Sequence, residues 1–232
     1  MTIQSWRAGA VTWIAWVVAG GLGGGLATLV ALAGMGSWLN DNADQFAVLG
    51  YEMAFAAIAS LFQYLVLQFV AAGRRAAVLW LPATVLAINV YMWLNELWMT
   101  RANDLAAWLS GTFHSLDPES TTNLIFGVSD ATYAVAFGAV QGLVLVVMFG
   151  RKVSVALWLA GNLLGLVAEL FIPRLIPFAP TAPGQAFIAS SAIGMGAYAL
   201  GTGLALLLIL RLRRSNTAVP VMDAVPALQG QG

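Results

Sequence analysis

Six times along this chain an apolar run extends far enough to cross a lipid bilayer, and no other feature limits the fold so strongly. A hydrocarbon core of about 30 Å needs about 20 apolar residues in a helix. The runs are Ala8–Gly34, Phe46–Ala71, Ala76–Trp98, Leu124–Phe149, Val153–Ile172 and Ala186–Leu210. In hydrocarbon the backbone must satisfy its own polar groups, which a helix does within one segment. Only 9% of the residues are charged, against about a quarter in an ordinary soluble domain. So few charges cannot make a water-facing surface, and the expected solvent, and first partner, is the lipid bilayer. The expected fold is all-α, a polytopic membrane protein with six transmembrane helices.

The connections carry the charges. Gly73-Arg74-Arg75 and Gly150-Arg151-Lys152 read as tight basic turns, and Met35–Gln45 carries Asp41 and Asp44. Thr100–Asn123 reads as a longer loop, and Pro173–Gly184, with Pro173, Pro177, Pro180 and Pro183, as a rigid irregular one. With the N-terminus inside, Arg7, Arg74, Arg75, Arg151, Lys152, Arg211, Arg213 and Arg214 lie on the cytoplasmic side. Only Arg101 and Arg174 fall outside. Trp6, Trp80 and Trp158 near the inner edge, and Trp38, Trp93, Trp98 and Trp108 near the outer, read as the two aromatic belts. The expected location is a bacterial-type inner (plasma) membrane, multi-pass, with both termini cytoplasmic. Arg7 ahead of an apolar run mimics a secretory leader. The charge-free stretch far exceeds the roughly 7–15 residues of a leader's apolar region, so a retained first helix is expected. Residues 1–214 form a single membrane domain, and 215–232 a small, polar cytoplasmic tail.

Shifted by 78 positions, the chain repeats itself over 52–87 and 130–165 without a gap. Gln63-Tyr64-Leu65-Val66-Leu67 falls on Gln141-Gly142-Leu143-Val144-Leu145, Leu79-Trp80-Leu81 on Leu157-Trp158-Leu159, Glu52 on Asp130 and Arg74 on Lys152. Both hairpins run in the same sense, so an axis along the membrane normal relates them. Thr202-Gly203-Leu204 and Arg213 extend the pattern into the sixth helix. If the first helix completes that third unit, the result is a pseudo-three-fold arrangement of helical hairpins. Gly138-Ala139-Val140-Gln141, followed by Leu145, Arg151, Trp158 and Gly165, resembles a unit of poorly characterised bacterial multi-pass membrane proteins. These repeat a Gly/Gln helix, a basic turn and a Trp helix. The resemblance implies an architecture and no activity.

Acids within membrane segments are functional candidates by default, here Glu52, Glu96, Asp130 and Glu169. At 1.5 Å per residue, Glu52 lies about 33 Å from Arg74, Asp130 the same from Lys152, Glu96 about 32 Å from Arg75 and Glu169 about 26 Å from Lys152. They therefore form a candidate outer acidic ring. It reads either as wetted groups, with Glu169–Arg174 and Glu96–Arg101 pairs, or as a vestibule that attracts a cation. The midplane holds Gln63, Gln141, Asn162, Thr84 and Thr202, with Asn89 close by. Such groups need inward-facing partners and read as interhelical hydrogen bonds or as the lining of a small-molecule site. Gly20–Gly24 and Gly21–Gly25 on the first helix, with Ala197–Gly201 and Ala199–Gly203 on the sixth, have small-xxx-small spacing for close packing.

No enzymatic role is expected. His114 is the single histidine, cysteine is absent, and no metal site follows. H-E-x-x-H, G-x-S-x-G and phosphate-loop patterns are also missing. A net charge of zero, with no basic face, argues against nucleic acid. Two functions fit. One is a non-catalytic accessory or scaffold subunit of a larger complex, with other membrane subunits as partners. The other is a small-molecule binding or transport component with a polar midplane site.

Overall fold

The computed structural model describes residues 3–35, 45–70, 74–112, 118–150, 152–176 and 183–217. Its six long helices are α1 (Ile3–Val30), α2 (Gln45–Val70), α3 (Trp80–Thr112), α4 (Pro118–Phe149), α5 (Val153–Leu175) and α6 (Pro183–Thr217). A π-helical turn, Ala31–Met35, extends α1, and a one-turn helix, Arg74–Ala77, precedes α3. All six are long and apolar enough to cross a membrane. Each helix packs on its neighbours in the chain, and α6 packs on α1, so the six close into a ring. The α1–α6 and α5–α6 seams are the most extensive, and α2–α3 is the thinnest.

Polarity is inverted relative to a water-soluble bundle. Val11, Ile14 and Val18 of α1, Leu61, Leu65 and Phe69 of α2, and Leu163, Leu164 and Val167 of α5 face outward. Ser60, Gln63, Thr84, Gln141, Asn162 and Thr202 are buried. That distribution is stable where the surrounding solvent is apolar and backbone and side-chain polar groups must find partners inside.

Close backbone approach closes the ring. A Cβ on Gly23 would overlap the carbonyl oxygen of Ala59 on α2. One on Gly20 would come within 2.6 Å of the Ala199 Cβ on α6. The glycine stripe of α1 is thus consumed within the chain, on α2 and α6.

Several expected boundaries move. Thr100–Asn123 is mostly helix, not loop: α3 continues to Thr112 and α4 starts at Pro118. Proline suits that first helical position, where its missing N–H has no intrahelical acceptor to lose. Pro173 and Pro183 likewise lie inside α5 and at the start of α6, while Pro177 and Pro180 lie outside the described residues. So do the tail beyond Thr217, Asp41 and Asp44, and His114. The α4–α5 turn is tight as expected, with Gly150 at φ 70°, a conformation that favours glycine. Its counterpart before α3 is not equivalent. Pro82 has no N–H for the Val78 carbonyl, so the helix breaks at Val78-Leu79 and α3 starts at Trp80 rather than near Ala76. The matching position in α5 is Ala160, and α5 runs unbroken.

Candidate functional site

Three tryptophans from alternate helices meet at the centre: Trp16 of α1, Trp80 of α3 and Trp158 of α5, all buried. Their ring centroids lie 5.5–5.7 Å apart, with interplanar angles of 74–83°. Such edge-to-face pairs contribute about 0.5–1.5 kcal/mol each beyond their burial. This corrects the belt assignment: Trp80 and Trp158 are core residues, whereas Trp93 and Trp108 are exposed. Leu67, Leu145 and Leu206, one each from α2, α4 and α6, pack in the same core cluster.

The polar layer is built on this triangle. Trp158 Nε1 donates to Gln141 Oε1 at 3.2 Å, and Gln141 Nε2 donates to Thr84 Oγ1 at 2.9 Å. Thr84 Oγ1 donates in turn to the Trp80 carbonyl. Trp16 Nε1 donates to Thr202 Oγ1 at 3.0 Å. Asn162 donates to the Trp158 carbonyl at 2.7 Å and accepts from the Tyr198 hydroxyl at 2.5 Å. Asn89 only bonds back to Val85 within its own helix.

The third indole breaks the pattern. Trp80 Nε1 is buried without a hydrogen-bond partner. Gln63, which matches Gln141 in the sequence, forms no side-chain hydrogen bond among the described residues, although it is only 9% exposed. The expected inward orientation of both glutamines holds, but the expected bonding holds for Gln141 alone.

Gln63 faces a cavity of about 90 Å³. The lining side chains of α2 are Glu52, Phe55, Ala56, Ala59, Ser60 and Gln63, the i, i+3, i+4 stripe that forms one helix face. This face therefore borders the cavity, on a helix with one thin seam. From Glu52 to Gln63 it spans about 16 Å of helix. Thr84, Gln141, Thr202 and Trp158 line the inner end, and Phe137, Tyr133 and Tyr198 contribute aromatic walls. No lysine, arginine or histidine lines it among the described residues.

The two predicted groups are thus partly merged. Glu52 from the acidic set and Gln63, Gln141, Thr84 and Thr202 from the midplane set share one cavity, while Asn162 acts behind it through Tyr198. Asp130 and Glu169 do not line it. Glu169 and Glu52 nevertheless both act electrostatically on Tyr133, and Asp130 acts on Glu169. Glu96 is exposed and does not line the cavity. Neither Glu169–Arg174 nor Glu96–Arg101 forms an ion pair among the described residues.

No family model, curated protein or solved structure matches the chain. The site therefore rests on its own geometry. Sequence reasoning missed the aromatic contributors: Phe55, Tyr133, Phe137 and Tyr198. A signal was present, since Phe55 and Tyr133 are themselves matched by the 78-residue shift. A second polar cluster lies apart from the cavity floor, where Tyr91 donates to Ser129, whose hydroxyl donates to Asn95 at 2.7 Å.

Proposed function

We propose that this chain is an integral membrane protein that binds a small molecule within its helix ring, as a binding or transport component. One observation carries the reading. The stripe of α2 from Glu52 to Gln63 lines a cavity inside the ring, while Ala56 and Ala59 within it also pack on the neighbouring helices. Ligand sites are concave and mostly apolar, with a few placed polar groups. Aromatic walls over an amide and hydroxyl floor fit that description. The accessory-subunit reading drew support from glycine faces on the first and last helices, but α1 and α6 use these faces on each other.

The pseudo-three-fold arrangement belongs to the same proposal. It is supported by the Trp16–Trp80–Trp158 triangle, by Leu67, Leu145 and Leu206 in one core, and by the parallel Trp158–Gln141 and Trp16–Thr202 bonds. Both termini are assigned to the cytoplasm because eight of ten cations fall on that side.

Alkylation tests the cavity, because the chain has no cysteine of its own. Ser60 lines the cavity and Ser154 is fully buried away from it. Ser60→Cys should react with N-ethylmaleimide in membranes, and Ser154→Cys should not. Equal inertness of the two, in protein that remains folded, would remove the reading.

A further inference from the structure

We propose that the cavity takes a small organic ammonium ion, its charge seated at Glu52 against the aromatic walls and its polar end at Gln63; this rests on the binding reading above. Three observations lead to this class. The first is electrostatic. Glu52 is the lone charged side chain of the lining, and among the described residues it has no ion-pair or hydrogen-bond partner. A carboxylate withdrawn from water without a counter-charge is costly, and a cation supplies the missing half of the pair. An anion would meet no complementary charge there.

The second observation selects an organic cation over a metal ion. Among the described residues no three metal-ligating side chains come together. What surrounds the carboxylate is aromatic: Tyr133 stacks on Phe137 at 4.2 Å and meets Tyr198 edge-on at 6.2 Å, with Phe55 on the facing helix wall. Aromatic faces attract alkylammonium groups most strongly where water is excluded.

The third is the pair left unbonded at the inner end. Trp158 and Trp16 each donate to the residue at the matching position, Gln141 or Thr202. Gln63 does not serve Trp80 in this way. Its amide, nine-tenths buried and lining the cavity, remains free to bond a ligand. Since a water takes about 10–15 Å³ by the same measure, the 90 Å³ cavity holds roughly six to nine non-hydrogen atoms. A hydroxyalkyl ammonium is of that size and carries both required groups. The ammonium could belong to a free amine or to a lipid headgroup.

Choline and its uncharged isostere 3,3-dimethylbutan-1-ol differ only in the charged centre, so they test charge at constant shape. Binding is measured by calorimetry on the full chain in nanodiscs of phosphatidylglycerol. Tetramethylammonium and ethanolammonium serve as further probes. Choline should bind saturably and at least about tenfold more tightly than the isostere. Glu52→Gln should erase that preference. Gln63→Leu should weaken choline several-fold but leave tetramethylammonium, which has no hydroxyl, unchanged. Asp104→Asn, far along α3, should change neither. Competition by added phosphatidylethanolamine would indicate a headgroup as the source, and its absence a free amine. Equal binding of choline and isostere overturns the ammonium assignment while the cavity stands. Failure of all three ammonium probes, with Ser60→Cys still alkylated, overturns it as well. Inert Ser60→Cys would instead remove the cavity itself.

Discussion

Replacing Gln141 by leucine should cost far more stability than the same change at Gln63, although a 78-residue shift aligns the two residues. Gln141 makes two side-chain bonds, accepting from Trp158 and donating to Thr84. Bonds of this kind between membrane helices average about 0.6 kcal/mol. Leucine would also strand the Trp158 indole N–H, which is buried, and an orphaned buried donor costs about 1–3 kcal/mol. Thr84 loses little, because its own hydroxyl proton already goes to the Trp80 carbonyl. The expected loss is therefore roughly 2–4 kcal/mol. Gln63 has no bond to lose, and Trp80 Nε1 is unpartnered already, so Gln63→Leu should stay within about 1 kcal/mol of wild type. Thermal unfolding in mild detergent, followed by tryptophan fluorescence, resolves the difference, since 1 kcal/mol moves Tm by about 2–4 °C at this chain length. Equal losses at the two sites would refute the asymmetry and return Gln63 to a purely structural role.

Further outcomes follow from the same contacts. Gly23→Ala should destabilise by at least about 1–3 kcal/mol, because the obstacle is the Ala59 backbone carbonyl and cannot rotate away. Gly127→Ala, with nothing within 4 Å, should unfold like wild type in the same assay. Thr202→Val keeps the shape but removes the acceptor of Trp16 Nε1, and should lower stability by about 1–3 kcal/mol; an unchanged Tm would count against that bond. For orientation, Ser120→Cys should be labelled by an impermeant thiol reagent outside intact cells, and Ser215→Cys should be protected. The reverse pattern would invert the topology.

The six helices were legible in the sequence because the signal is local. An apolar run of about 20 residues leaves the backbone one way to satisfy itself within the segment, and every one of the six runs lies largely within a helix. The inward orientation of Gln63, Gln141, Thr84 and Thr202 was legible for a related reason, since an amide or hydroxyl facing lipid would lack partners. Helix ends were less legible. Apolar content says nothing about where a helix stops once it has left the apolar run, and α3 continues through Arg101 and Asp104 to Thr112.

What the sequence alone determined is therefore the number of helices and the depth at which each polar residue lies along its helix. Only the tertiary structure decided which of those residues meet. Trp80 and Trp158 read as interfacial, but with Trp16 they fill the centre, because azimuth around a helix is set by packing and not by depth. Gln63 and Gln141 share a depth and a motif, yet one is bonded to an indole and the other faces a cavity. Their hairpins differ locally at Pro82 against Ala160, where one missing N–H breaks the chain just before α3, and at Ser60 and Tyr64 against Gly138 and Gly142, where α4 comes close to Leu159 and Val155 of α5; the α2–α3 seam is the thinnest in the ring. Two segments that align at a 78-residue shift thus make different contacts, since closure of the ring decides where space is left over.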